Sequence, residues 1–190
     1  MECRYDLCNA KCCRNLEYRK LGEYDLDTKR YLHFLVPNGM IGLSVFNDEK
    51  ETLEKEGVKF IPMRGVISSK GHPVIIKWLM DYTDCPLLKE NKCMAYEKRP
   101  LICRLYPLMP PLLCEKGKKE ISAYCPHIKI TTEEMITNFD KFIKRQEAIM
   151  NDLNKLKETG KIKLIKTSTA MRLFSNKRII TFEDYLAEQH

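Results

Sequence analysis

Apolar positions along this chain follow two different periods, and the change from one to the other divides it. From Tyr31 to Phe46 (YLHFLVPNGMIGLSVF) they crowd into two short runs on either side of Pro37-Asn38-Gly39. Asn-Gly supplies positive φ at little cost, so the stretch predicts two strands joined as a hairpin. Asp48 to Glu56 is charged and predicts a helix, with Asn47 or Asp48 as N-cap and Gly57 as its stop. Val58 to Met63 and Val74 to Leu79 are runs of β-branched and aromatic residues around the turn-rich SSKGHP, a second strand pair. Trp78, the only tryptophan, is expected in the core. Residues 14 to 30 are polar with scattered Leu and Tyr and carry no firm assignment.

From Thr131 the period becomes helical. Met135, Phe139, Phe142, Ile149, Leu153 and Leu156 are spaced by threes and fours, with Gln146 filling one place and Ile136, Ile143 and Met150 widening the stripe. This predicts one long amphipathic helix, opened by a capping box of Thr131 with Glu134 and closed at Gly160. Its apolar face can pack across the rest of the chain, and its heptad step would also serve a second copy through residues 135 to 156. KIKLIKTST and KRIITFEDYLAEQH then read as short strands and a last helix capped by Thr181. The expected fold class is α+β, a small domain of short strands and turns at residues 1–130 with a long helix and basic segment at 131–190 packed on it.

Composition adds the compartment. At 190 residues the chain can bury a core without a metal to make up for lack of size. No run approaches the ~18 apolar residues of a membrane span, and MECRYDLCNAKCCRNLEYRK has no apolar signal core. The expectation is a cytoplasmic protein. Nine cysteines then need a reason, because a reducing compartment disfavours disulfides and makes metal or iron–sulfur ligation the better use.

Those cysteines fall in groups. CPLLKENKCMAYEKRPLICRLYP places Cys85, Cys93 and Cys103 at spacings of eight and ten, with Pro86, Pro100 and Pro107 favouring short turns over long elements. Glu90-Asn91-Lys92 predicts a tight turn returning Cys93 towards Cys85, and Ala95 to Lys98 one helical turn before Pro100, with Cys93 and Cys103 facing each other across the bend. Bound thiolates carry net negative charge, so Arg99 and Arg104, flanking Cys103, are placed to offset it and to donate hydrogen bonds to sulfur. Upstream lie Cys3, Cys8, Cys12 and Cys13. Neighbouring side chains point in different directions, so either one of Cys12 and Cys13 is packing, or the two serve different metals or different irons of one cluster. Downstream, Cys114 and Cys125 bracket a Gly117 turn; Cys125-Pro126 repeats the Cys85-Pro86 dipeptide and marks Cys125 as a ligand, while Cys114 is as well explained by burial.

His127 lies two residues beyond Cys125, where a surface or supporting role competes with ligation. His33, His72 and His190 carry less weight still. Nothing in the chain forms a Ser/His/Asp set, a glycine-rich phosphate loop or a paired acid and base. Residues 141–180 hold eleven Lys plus Arg against three Asp plus Glu, more than the net +7 of the whole chain. A basic segment implies an acidic macromolecular partner, although aromatics are sparse there and no recognition motif is visible.

Taken together, Cys8, Cys12, Cys13 and Arg14 followed by Cys85-Pro-Leu-Leu, Cys93, Tyr96-Glu97, Arg99-Pro100, Cys103-Arg104 and Tyr106-Pro107 resemble the YkgJ-type cysteine-cluster family of zinc- or iron-chelating proteins. The resemblance covers roughly residues 8 to 126. It implies Cys8, Cys12, Cys13, Cys85, Cys93, Cys103 and Cys125 as ligands. Many members space the first cysteines as C-x-x-C-x-x-C-C; here Cys8-x-x-x-Cys12-Cys13 departs from that, which leaves Cys3 without a role. The family also includes flagellin lysine-N-methylases, so the resemblance implies a possible methyl-transfer activity, with no nucleotide loop here to support it.

The expected function is therefore metal binding through cysteine thiolates, the metal being an iron–sulfur cluster of the [4Fe-4S] type or zinc. Zinc would want tetrahedra of four sulfurs. A cubane tolerates wider loop spacing and accommodates the doublet more easily. The alternative is a metal-dependent enzyme modifying a protein or RNA.

Overall fold

The computed structural model describes residues 13–14, 19–20, 32–34, 40–41, 43–82, 84–106, 108, 132–165 and 167–189. Two long antiparallel strands, β5 (Phe60–Ser68) and β6 (Pro73–Met80), form its centre. Each carries two short strands on its outer side. β2 (His33–Phe34) and β9 (Ile162–Lys163) pair with β5, while β4 (Ser44–Val45) and β10 (Ile180–Thr181) pair with β6. Among the described strands only β10 runs parallel to its neighbour. Separate two-stranded ribbons join β1 (Arg19–Lys20) to β3 (Met40–Ile41) and β7 (Leu88–Lys89) to β8 (Lys92–Cys93). The fold is α+β, with a long helix late in the chain.

Among the described residues, five helices complete it: α1 (Asn47–Glu54), α2 (Leu101–Arg104), α3 (Glu133–Glu158), α4 (Thr167–Asn176) and α5 (Phe182–Ala187). Alternation along β5 and β6 divides the core between the two faces of the sheet. Val66, Val74 and Ile76 pack with Leu153 and Leu156 of α3 and Phe182 and Tyr185 of α5, whereas Ile67 and Ile75 meet Ala170 and Phe174 of α4. Near its amino end α3 turns Phe139 and Phe142 onto Phe46, Ile102, Leu105 and Leu108. Of this stripe, Phe139, Phe142, Leu153 and Leu156 are buried against the chain's own sheet and α2, while Met150 is exposed.

Several elements depart from the sequence expectation. β2 and β3, expected as the arms of one hairpin, pair instead with β5 and β1; the Pro37-Asn38-Gly39 turn lies outside the described residues. β5 continues through Arg64 to Ser68, because cross-strand pairing with β6 carries a polar residue that interrupts the apolar run. α3 is capped by Thr132, whose Oγ1 accepts from the Met135 N–H at 3.2 Å, one residue later than expected. α4 occupies a region that reads as strand because Thr167 to Thr169 are poor helix formers; Ala170 and Phe174, one turn apart, hold it to the sheet. α1 begins one residue early, at Asn47, and the carboxylate of Glu49 accepts the Phe46 N–H at 2.9 Å.

The register of β5 against β6 slips twice. Pro62 pairs with Trp78, Arg64 with Lys77 and Gly65 with Ile75, so Met63 and Ile76 are extra residues in their strands. Such irregularities re-aim side chains. Here Ile76 packs in the α3 and α5 core while the next residue, Lys77, reaches Phe46 and Phe142 of the same face, where strict alternation would separate them.

Candidate metal centre

The described cysteines are Cys13, Cys85, Cys93 and Cys103, all half-buried and none in a disulfide. Cys85 stands where the sheet ends and the central stretch begins. Its side chain packs beside Val45, Leu53, Val58, Met80, Leu87 and Ala95, the small core beneath α1. From there the chain turns back on itself at once. The Leu88 N–H donates to the Cys85 carbonyl at 3.0 Å, Leu88 pairs with Cys93, and the Met94 N–H donates to the Leu87 carbonyl at 2.8 Å. Glu90 and Asn91 form the two-residue turn with φ of +48° and +60°, the left-handed pair that a tight hairpin requires. Cys93 is thus returned alongside the segment that Cys85 begins, as the turn residues predict.

The amino-terminal doublet reaches this hairpin through its backbone. The Cys85 N–H donates to the Cys13 carbonyl at 2.7 Å. One residue on, the Arg14 guanidinium donates to Asn91 Oδ1 at 2.9 Å, across 77 positions of sequence. Two independent hydrogen bonds therefore fasten Cys13-Arg14 to both ends of the Cys85–Cys93 hairpin. A short hydrogen bond from a buried amide to a carbonyl contributes on the order of 1 kcal/mol net, and leaving either group unmade costs more. Neither Arg14 nor Asn91 stands out as a positioning residue in the sequence; only the arginine's place after the doublet hints at it.

Cys103 is held differently. A 3-10 turn at Tyr96–Lys98 leads into Pro100, and the N–H groups of Cys103 and Arg104 both donate to the Pro100 carbonyl, at 2.9 and 3.1 Å. Cys103 packs at the edge of the Phe46, Phe139 and Phe142 cluster, on the α3 side of the molecule. The two arginines around it knit the loop. Arg99 stacks 3.6 Å over the Tyr96 ring and donates through Nε to the Tyr96 carbonyl at 2.9 Å. Arg104 donates through Nε to the Arg99 carbonyl at 2.7 Å and through Nη2 to the Glu97 carbonyl at 2.6 Å. Both guanidiniums are thereby tied to the backbone of the loop that leads into Cys103.

Among the described residues no three Cys, His, Asp or Glu side chains stand together as a complete ligand set. Cys3, Cys8, Cys12, Cys114, Cys125 and His127 lie outside the described residues. What the structure brings together is the backbone of Cys13 with the Cys85–Cys93 hairpin. Cys103 follows on a loop pinned by arginines. The donor chemistry suits a thiophilic ion or cluster, since soft thiolates are the ligands of zinc and of iron–sulfur centres.

Among the described residues no helix is long and apolar enough to cross a membrane. Comparison with curated proteins and with solved structures gave no match. A family model does match, over residues 2–128, and its description is "Putative zinc- or iron-chelating domain". The matched span takes in all nine cysteines and ends shortly before α3 begins. On that match the chain belongs to the CxxCxxCC family of zinc- or iron-chelating domains.

Proposed function

We propose that this metal-binding protein holds an iron–sulfur cluster of the four-iron type, with zinc as the competing occupant. The hydrogen bond between the Cys85 amide and the Cys13 carbonyl carries the reading, because it brings the doublet's backbone to the head of the central ligand stretch. Cys13, Cys85, Cys93 and Cys103 would supply thiolates from the described residues, and Cys8, Cys12 and Cys125 from the remainder. The doublet favours a cluster over a single zinc, since adjacent side chains diverge and divide more easily among several irons. Arg14, Arg99 and Arg104 would offset the negative charge of the bound thiolates. A bound cluster supplies one-electron transfer, or an open iron where a fourth thiolate is lacking. Residues 131–190 would form the supporting segment of one compact unit, and the reducing cytoplasm is the compartment in which these thiols persist.

The test is anaerobic purification with iron, sulfide and zinc analysis alongside absorption and electron paramagnetic resonance spectra. A brown protein with broad absorption near ~400 nm and matching iron and sulfide supports the cluster. A colourless protein with stoichiometric zinc overturns it in favour of zinc. If Cys85→Ser and Cys103→Ser leave metal content unchanged, the central stretch is not the ligand loop.

A further inference from the structure

The basic segment at residues 141–180 does not spread its charge evenly over the surface. Along α3 its cations are mixed with Glu147, Asp152 and Glu158, and Arg145 and Lys155 are paired with Asp48 and Asp152. Beyond α3 the pattern changes. Three parts of the chain bring cations to one end of the sheet, around the β5–β6 turn. That turn contributes Lys70 and His72, both exposed. On the β5 side, the Ser69 N–H donates to the Lys161 carbonyl at 2.7 Å, and Lys163 pairs with Ile67 and is exposed. On the β6 side, exposed Lys177 reaches the Gly71 carbonyl with Nζ at 3.1 Å, and exposed Arg178 precedes β10.

Among the described residues none of Lys70, Lys161, Lys163, Lys177 and Arg178 is ion-paired. On α5, Glu183 is engaged by Asn47 and Arg145, and Asp184 accepts from Thr181 Oγ1 at 2.6 Å. Five cations at one end of a sheet, without ion-pair partners, repel one another unless an anion answers them. The strands β9, β5, β6 and β10 lie side by side, so the rim they present is roughly 14 Å across at about 4.8 Å per strand.

We propose that this end of the sheet is a docking surface for the phosphate backbone of double-stranded nucleic acid. Lysine point charges along a rim match a regular array of phosphates, which needs neither pockets nor anchors. An acidic protein would be held chiefly by buried aromatic or apolar anchors; among the described residues, Leu164, half exposed, is the one large apolar residue at the surface beside the rim. A single strand would be bound by stacking its bases on aromatic rings. None of the rim residues Lys70, His72, Lys161, Lys163, Lys177 and Arg178 is aromatic apart from the His72 imidazole. The surface reads no base sequence, so the contact is independent of sequence and steep in salt.

The experiment is fluorescence anisotropy of the full-length, metal-loaded protein with labelled 20-base-pair DNA and RNA duplexes over a salt series. Each phosphate contact contributes a slope of about −0.9 in log affinity against log salt. Replacing Lys163, Lys177 and Arg178 together with Gln is expected to flatten the slope by about 2 to 3 and weaken binding more than about tenfold at low salt. Lys55→Gln, Lys59→Gln and Lys141→Gln combined make the same charge change elsewhere and are expected to weaken it less than about threefold. Thermal melts and metal content of both triple variants, unchanged from the parent, keep folding and the metal centre out of the comparison. No duplex binding at low salt overturns the proposal, as does an equal loss in both variants. Tighter binding to a polyglutamate peptide, to an unpaired strand or to anionic vesicles than to duplex also overturns it.

Discussion

One carboxylate, Glu49, stands 2.6 Å from the backbone N–H of Leu101 while its other oxygen accepts from Phe46 at 2.9 Å. The first bond caps α2, the single helical turn that carries Cys103; the second starts α1. Glu49→Ala would orphan two amides at partly buried helix starts. A loss of about 1 to 3 kcal/mol is expected in urea or thermal unfolding. Glu49→Gln keeps one acceptor oxygen and is expected to cost about half as much. Because Leu101 is two residues from Cys103, metal retention under chelator challenge should fall in the same order. Equal retention by parent and Glu49→Ala would show that α2 holds its place without the cap.

A different constraint fixes α4 against the sheet. A Cβ on Gly65 would lie 2.3 Å from Cζ of Phe174 and 2.7 Å from the Val74 carbonyl oxygen. The ring can swing away, but the carbonyl belongs to the paired strand and cannot. Gly65→Ala is expected to destabilise the fold by about 3 kcal/mol. Phe174→Leu removes the nearer clash only, so the double variant should be less destabilised than the sum of the singles, by ~1 kcal/mol. Strict additivity in equilibrium unfolding would mean that the glycine is not needed for this close approach.

These contacts also show where sequence reasoning reaches and where it stops. Local chemistry was readable: Glu90-Asn91 marks a left-handed turn, Thr181 caps α5 through the Asp184 N–H, and the spacing of Phe139, Phe142, Leu153 and Leu156 gives the long helix. Features set by distant partners were not. Nothing near Glu49 announces Leu101 as its partner, and nothing in MRGVIS shows that Arg64 lies within a strand that pairs across a doubly irregular register. The cysteines announced thiolate chemistry by type and spacing. That Cys13 meets Cys85 through backbone rather than through any recognisable motif needed coordinates, since a backbone hydrogen bond leaves no mark on residue identity.

Arg145 joins α3 to the start of α1. Its guanidinium forks onto Asp48, with Nη1 to Oδ2 at 3.1 Å, and lies 3.9 Å over the Phe46 ring. Burial alone would raise the Asp48 carboxyl, but Arg145 as hydrogen-bond donor and as charge, with the Glu49 backbone, holds it below its usual 3.8. A depressed carboxylate contributes stability above its unfolded value, and the contribution is lost as pH falls through the lower folded value. Asp48 is 67% exposed, so the pair is worth only a few tenths to ~1 kcal/mol. Asp48→Asn should cost that much at pH 7 and progressively less as pH falls below 3.8, by urea titration. Arg145→Ala should cost more, about 1 to 2 kcal/mol, because it also strips the cover from Phe46. If the two variants were equal at pH 7, the stacking would contribute nothing.

Lys77 is costly to bury. It is 1% exposed, its Nζ has no hydrogen-bond partner, and the Phe46 and Phe142 rings lie 4.5 and 4.6 Å from it. Burial, aided by repulsion from Arg64 and Arg145 and opposed by Glu49, lowers its pKa from 10.5 to about 7. The unfolded chain therefore binds more protons than the native one between about pH 7 and 10.5, and stability rises with pH across that window, by at most ~1.4 kcal/mol per unit. Below about pH 7 both states are protonated and the full penalty remains. The rings return ~1 to 2 kcal/mol to the charged form, less than the cost of desolvating an unpaired ammonium. Lys77→Met is thus expected to stabilise the protein by about 1 to 3 kcal/mol at pH 7 and to flatten the rise between pH 7 and 9. That range stops short of Tyr185, whose hydroxyl burial pushes above its ordinary value of 10.0. A Met variant that is less stable at pH 7, with the rise intact, would mean that the ammonium is held by the two rings better than its burial allows.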